Sequence, residues 1–296
     1  MWAPEFHIAE DWLQVFQELV ASPGVVLVIG APDTGKSTLA HFLVYKSIEE
    51  GFRTSYIDGD LGQSILGPPT TLGMTLPSEP PADMGELKWD RLYFIGATSP
   101  AGHLLATAVG IKRLVERAKE DKAGILVVDT TGLVAGEMGF QLKFYKIELL
   151  NPRHMIAIQK EGELEHILKA LRGRKGTKVH RFSPSQRVRT RSPEVRRAYR
   201  GRIFQEYFHR CNRRTVSLDS VAFVHPQFPL LTEEGIDERF MGRLLGLNDE
   251  EYFTLALGIW EGVDRDSNEV SVLTPLDDLG GIRYLHLGHI SLKITS

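Results

Sequence analysis

Apolar residues along this chain follow two rhythms. Short runs at Val25–Gly30, Thr54–Asp58, Arg91–Ala97, Gly124–Asp129 and His154–Gln159 have the length of buried strands. Helical spacing takes over in Thr38–Ile48, His103–Lys119 and Glu163–Leu171. A short amphipathic helix at Asp11–Val20 comes first, with Trp12, Val15, Phe16 and Leu19 on one face. Strands alternating with helices predict an α/β fold, a mainly parallel central sheet flanked by helices. Residues 67–90 carry Pro68, Pro69, Pro77, Pro80 and Pro81 and read as a surface excursion. After Arg214 the rhythm shortens. Apolar runs at Val216–Val224, Tyr252–Trp260, Glu269–Leu273, Ile282–Leu287 and Ile290–Ile294 alternate with Gly, Asp and Asn turns. That is an antiparallel β pattern, so a small C-terminal β domain (216–296) is expected beside a first unit (1–215).

Composition narrows the class. The 296 residues are 42% hydrophobic and 25% charged, with a formal net charge of −3, which suits a folded globular chain of one or two domains. No apolar run reaches the roughly 18–20 residues of a membrane span. The first ten residues, Met1–Glu10, lack the basic and apolar regions of a secretory signal. The single cysteine, Cys211, excludes an internal disulfide and a cysteine metal cluster, so a reducing cytoplasm is the expected setting. Charge is unevenly spread. From Lys169 to Arg214 a long series of arginines and lysines, among them Arg187, Arg189, Arg191, Arg196, Arg197 and Arg200, is opposed only by Glu194 and Glu206. The bland reading of such a run is a solvated basic face. Arginine outnumbers lysine here, however, and guanidinium forks match phosphate oxygens, which points to an anionic partner.

Candidate chemistry starts at the end of the first strand. Gly30-Ala31-Pro32-Asp33-Thr34-Gly35-Lys36-Ser37 fills the phosphate-loop pattern G-x-x-x-x-G-K-[ST] and is followed by Thr38 at the start of a helix. Glycines let backbone N–H groups turn inward toward anionic oxygens, and the helix adds its positive end. Lys36 is placed to reach the β- and γ-phosphates, and the Ser37 hydroxyl to ligate Mg²⁺. The chain is therefore expected to be a P-loop NTPase that binds a nucleoside triphosphate.

Other strand ends add polar groups where open α/β sheets build their sites. The second strand leads into Asp58-Gly59-Asp60-Leu61-Gly62-Gln63, in which one carboxylate can join the Mg²⁺ shell and one can orient a nucleophile. The third leads into Thr98-Ser99-Pro100-Ala101-Gly102-His103, a substrate-contacting loop or a helix cap. The fourth ends in four apolar residues and Asp129-Thr130-Thr131-Gly132, a Walker B-like element with Asp129 beside the metal. The same letters fit the D-x-x-G of GTPases, but Ile158-Gln159-Lys160-Glu161 offers no N-K-x-D. Ser192-Pro193-Glu194 reads as a helix start that sets Arg196 and Arg200 on one face, in a mobile lid of about 185–202.

Taken in order, G-x-x-x-x-G-K-S-T at Gly30–Thr38, D-x-D-x-G-Q at Asp58–Gln63, T-S-P-x-G-H at Thr98–His103, D-T-T-G at Asp129–Gly132 and R-S-x-x-x-R-R at Arg191–Arg197 resemble one family. This is the polynucleotide 5′-hydroxyl kinase family of the pre-mRNA cleavage-factor RNA kinase subunit and the ribosomal-RNA-processing polynucleotide kinases. The resemblance covers roughly residues 10–215. It implies that ATP and Mg²⁺ bind at Gly30–Thr38, with Ser37, Asp58 and Asp129 around the metal. It implies that Lys36, Asp58, Asp60, Arg191 and Arg196 carry catalysis, Asp60 toward the acceptor hydroxyl and Arg196 toward the moving phosphoryl group. Gln63, Thr98, Ser99, His103, Thr130, Thr131 and Gly132 would contact the substrate, a single-stranded RNA or DNA 5′-hydroxyl end. Two departures stand out. Only about twenty residues precede the first strand, where nuclear members carry a β domain, and Leu133 occupies the position of the clasp tryptophan. A nucleotide-dependent switch ATPase and a small-molecule kinase are the competing functional classes.

Overall fold

The computed structural model describes residues 10–81, 83–186, 188–224 and 240–292. Of the sequence expectations, the N-terminal residues 1–9, Arg187 of the basic segment and residues 293–294 of the last apolar run lie outside the described residues. In chain order the first unit runs α1 (Glu10–Ala21), β1 (Val25–Gly30), α2 (Lys36–Glu49), β2 (Thr54–Gly59), β3 (Thr71–Thr75), β4 (Arg91–Phe94), α3 (Leu104–Glu120), β5 (Ile125–Thr130), α4 (Gly136–Leu150), β6 (His154–Ile158), α5 (Glu165–Ala170), β7 (Lys178–Phe182) and α6 (Pro193–Tyr207). The remaining strands are β8 (Asn212–Ser217), β9 (Ala222–Val224), β10 (Arg243–Asn248), β11 (Thr254–Asp264), β12 (Glu269–Thr274) and β13 (Tyr284–Ser291).

The center of the sheet is parallel, in the order β7-β6-β1-β5-β2. Every residue of β1, β2, β5 and β6 is buried, as expected of strands covered on both faces. One core lies under α3, α4 and α5, and includes Leu27, Ile57, Ile111, Val128 and Ile147. The other lies under α1 and α2, and includes Phe16, Leu19, Val28, Leu43 and Val127. The predicted α/β architecture with a mainly parallel sheet is therefore the observed one.

Within residues 67–90 the surface reading is corrected. Thr71–Thr75 is a buried strand, inserted antiparallel between β2 and β4. It alternates Thr71, Gly73 and Thr75 with buried Leu72 and Met74, and buried Thr71 meets its polar need by donating to the Pro68 carbonyl. The run Val216–Val224 is likewise two strands, β8 and β9, separated by a turn.

The C-terminal strands do not form a detached sheet. β11 continues the central sheet through the pair Thr254–Leu92, and the Thr254 hydroxyl accepts the Phe94 N–H. Around Phe94 gather Phe204 of α6 and its C-cap Phe208 with Leu244, Leu257 and Ile259. A separate core around Trp260 fills the remainder. The boundary expected at 216 falls inside β8. Among the described residues no helix is long and apolar enough to cross a membrane.

Candidate nucleotide-binding and phosphoryl-transfer site

The site lies at the carboxyl ends of β1, β5 and β2, where the chain leaves a parallel sheet and the helices begin. Gly35 caps α2 in the left-handed region at φ 89°, and Asp33 adopts φ 54°, a conformation that aspartate tolerates better than most residues. The loop closes on itself through the Ala31 carbonyl, which accepts from Thr34 Oγ1 at 2.9 Å and from Lys36 Nζ at 2.6 Å. Lys36 is buried, which lowers its pKa. Asp129, Asp60 and Asp33 oppose that shift by attraction. Ser37 Oγ donates to Asp129 Oδ2 at 2.5 Å. Burial raises the pKa of Asp129, against the pull of Lys36 and the Ser37 hydrogen bond. A hydroxyl beside a carboxylate is a hard-oxygen donor set that fits Mg²⁺.

Asp58 and Asp129 are neighbors in the register of β2 and β5. Burial, and then repulsion from Asp129, push the Asp58 carboxyl up to about 7. Its oxygens accept from Asp60 N–H at 3.0 Å, Ser64 Oγ at 3.0 Å, Ile65 N–H at 2.8 Å and Leu66 N–H at 3.2 Å. Asp58 thereby holds the 60–66 loop in shape. Asp60 is half-buried, and its Oδ1 accepts from the N–H groups of Gly62 and Gln63 at 2.9 and 3.0 Å. Among the described residues its Oδ2 has no hydrogen-bond partner.

The arginine segment closes over these loops. Ser192 caps α6 by accepting from Val195 N–H, with Pro193 at the first helical position. Arg196 donates to Asp33 Oδ2 at 2.7 Å, the same oxygen that accepts from Arg191 N–H at 3.2 Å. Gln63 bridges the two sides, accepting from the Arg191 guanidinium at 3.4 Å and donating to the Arg196 carbonyl at 3.5 Å. Tyr199 donates to the Ser64 carbonyl at 2.8 Å. The Arg196–Asp33 pair is only partly exposed, at 27% and 17%, and such pairs contribute about 1 kcal/mol or less. A ligand anion can readily exchange it.

The structure thus brings together the phosphate loop, Asp58, Asp60, Gln63, Asp129, Thr130, Thr131, Gly132, Arg191 and Arg196. Gly132 lies flat on Pro32, where a Cβ would sit 2.6 Å from the proline ring. The Thr98 carbonyl packs on Gly62, and Ser99 Oγ accepts from Ala101 N–H at 3.2 Å. His103 occupies the N-cap position of α3 without a side-chain cap bond, and its ring packs on His289 of β13 at 4.5 Å.

Two residues escaped the sequence reading. Lys143 and Lys146 are fully buried on α4. Lys143 Nζ donates to Thr130 Oγ1 at 2.8 Å and to the Thr131 carbonyl at 2.6 Å. Losing such bonds inside a core costs on the order of 1–3 kcal/mol each. The available signal was positional: the buried set Gly139, Leu142, Lys143, Lys146, Ile147 and Leu150 follows helical spacing, with the lysines in apolar slots.

Comparison with known proteins agrees with this geometry. Residues 30–210 match the family described as mRNA cleavage and polyadenylation factor CLP1 P-loop. The chain is 29% identical to a polyribonucleotide 5′-hydroxyl-kinase of Methanocaldococcus jannaschii, across 90% of this chain and 87% of that protein. It is also 29% identical to one of Thermococcus kodakarensis, across 96% and 93%. An Arabidopsis thaliana CLP1 homolog 5 is 29% identical over 62% of this chain and 46% of its own length. The solved Clp1p–Pcf11p complex shares the fold, with a TM-score of 0.69 at 16% identity, covering 96% of this chain and 80% of that one.

Proposed function

The chain belongs to the mRNA cleavage and polyadenylation factor CLP1 P-loop family, and on that premise we propose that it transfers the γ-phosphoryl group of ATP to a polynucleotide 5′-hydroxyl end. Single-stranded RNA or DNA is the proposed acceptor, and the names of the archaeal relatives favor RNA. The observation that carries the reading is the setting of Asp60. One of its carboxylate oxygens is unengaged among the described residues, it attracts Lys36, and its loop is bridged through Gln63 to the arginine helix.

In this reading Asp60 accepts a hydrogen bond from the 5′-hydroxyl and aims its oxygen at the γ-phosphorus. The P–O bond to the new ester forms as the bond to the β–γ bridging oxygen breaks, and ADP leaves with that electron pair. The hydroxyl proton passes to Asp60 late, because a loose transition state needs little early deprotonation. Positioning is therefore most of what Asp60 supplies. Lys36 and the backbone of Gly30–Thr38 hold the β- and γ-phosphates. Arg196, freed from Asp33, moves to the charge spread over the transferring group, with Arg191 beside it. Ser37 and Asp129 would hold Mg²⁺, which would neutralize phosphate charge there. Asp58, expected at the metal and in catalysis, has both carboxylate oxygens engaged by residues 60–66, so its proposed contribution is to shape that loop. Thr130, Thr131 and Gly132 clasp the acceptor nucleotide, and Thr98, Ser99 and His103 border it.

The proposed division is a kinase unit, with a lid of about 185–202, and a C-terminal β unit whose start moves from the expected 216 to Asn212, so that β8 stays whole. A cytoplasmic setting is proposed from the one free cysteine, Cys211. The test mixes purified protein, γ-labeled ATP and 5′-hydroxyl oligonucleotides of RNA and DNA. Label on either oligonucleotide is expected. No transfer to either, under conditions where ATP is bound, overturns the reading.

A further inference from the structure

Helix α4 buries two lysines three residues apart, and the structure treats them differently. Lys143 Nζ is fully enclosed and spans the Thr130 hydroxyl at 2.8 Å and the Thr131 carbonyl at 2.6 Å. Lys146 Nζ is equally enclosed, yet among the described residues it has no hydrogen-bond partner. The Thr130 hydroxyl in turn donates to the Val28 carbonyl of β1 at 2.8 Å, two residues before the phosphate loop starts. On its other side the same loop rests on Pro32 through Gly132. The acceptor-clasping loop is thus pinned between α4 and the phosphate loop, with Lys143 joining its two threonines to the helix.

We propose that Lys143 is a positioning residue of the acceptor site, holding Thr130–Gly132 at a fixed depth relative to the phosphate loop. It touches neither ATP nor the acceptor. Its loss lets the clasp drift while the phosphate loop keeps its own closure through Ala31, Thr34 and Lys36. Acceptor constants should therefore change and nucleotide constants should not. A generic stabilizing role would move both or neither. Lys146 supplies the internal control, because it shares the helix, the burial and the residue type but has no bond to the clasp. The inference takes the identity of the acceptor from the kinase reading above.

The experiment compares Lys143→Met, Thr130→Val and Lys146→Met with wild type in the full chain. It measures KM for ATP, KM for a 5′-hydroxyl oligoribonucleotide, kcat, and oligonucleotide binding by fluorescence anisotropy. Lys143→Met is expected to raise acceptor KM and the anisotropy Kd about tenfold or more, with KM for ATP within about threefold of wild type. Thr130→Val, which keeps the shape but removes one acceptor of the Lys143 bonds, should move the same constants by less. Lys146→Met should leave acceptor KM within about threefold. Unchanged acceptor constants in Lys143→Met, equal losses for ATP and acceptor, or an equal effect from Lys146→Met would each overturn the proposal. If Lys143→Met does not fold, Lys143→Gln, whose shorter side chain cannot span both clasp acceptors, decides by the same split. Wild-type protein that binds the oligonucleotide but transfers no label overturns the kinase reading, while anisotropy still reads Lys143. Wild-type protein that binds no oligonucleotide overturns both.

Discussion

The proposed donor and acceptor sides of this site are built by different means. The donor side is backbone: nine consecutive residues, Gly30–Thr38, leave one buried strand and enter one helix. Lys36 and Thr34 close the loop onto a carbonyl five and three residues away. The acceptor side is side chains drawn from distant parts of the chain. Gln63 meets the Arg196 carbonyl across 133 positions, and Arg196 meets Asp33 across 163. A phosphate is much the same in every nucleotide, so a local, preformed cradle serves it. A polynucleotide end must be admitted, gripped and released, which suits contacts between separate elements that can part.

That contrast can be broken experimentally, and the largest effect belongs to the donor side. Lys36→Ala should abolish label transfer, a loss of about 10³-fold or more, because it removes the cation facing the transferring charge. Asp60→Ala should lower kcat by about 10²–10⁴-fold while ATP binding stays near wild type, which equilibrium nucleotide binding checks. If Asp60→Ala remains active, the acceptor side has been assigned to the wrong carboxylate. Arg196→Ala should cost about 10²–10³-fold in kcat, less than the arginine fingers of characterized systems because Arg191 lies beside it.

Lys146→Met sharpens the comparison through stability. Burial lowers the Lys146 pKa from 10.5 to about 8, so the native state binds fewer protons than the unfolded chain between those values. Stability then rises with pH across that window, and the full penalty applies below about 8. Lys146→Met should raise thermal stability at pH 7 by on the order of 2–3 kcal/mol. The gain over wild type should fade as pH climbs from about 8 toward 10.5, which melting curves across that range will show. The smallest effect is expected of Asp33→Asn. It loosens a partly exposed ion pair of about 1 kcal/mol or less, so kcat should stay within about fivefold.

The same contrast explains what could be read from the sequence. β1, β5 and β6 were legible because strands buried on both faces are nearly uniform in apolar residues, whereas β2, with only Tyr56 and Ile57 apolar, was legible from its place in the strand–helix alternation. The phosphate loop was legible because its function is local. β3 was not, since Thr71, Gly73 and Thr75 break the apolar run and prolines flank it. α4 was not, because Lys143 and Lys146 sit in its inward positions and disguise the period. The helix start at Ser192 was readable from its cap, but the latch of Arg196 onto Asp33 was not, since nothing in either segment names the other.

One feature of α6 has a mechanical consequence. At its far end Phe204 and Phe208 are sunk among Phe94, Leu244, Leu257 and Ile259, and the Tyr207 hydroxyl accepts the Leu257 N–H at 2.9 Å. At its near end, among the described residues, the ion pair, the Arg191 N–H bond, the Gln63 contacts and one tyrosine bond hold it down. The helix is therefore clamped by apolar packing at its root and held by a few polar bonds at its tip, which suits the proposed lid. In the proposed lid the C-terminal strands would set the hinge about which the arginines swing. Loosening the clamp, for instance by replacing Leu257, would blunt catalysis some distance from any reacting atom.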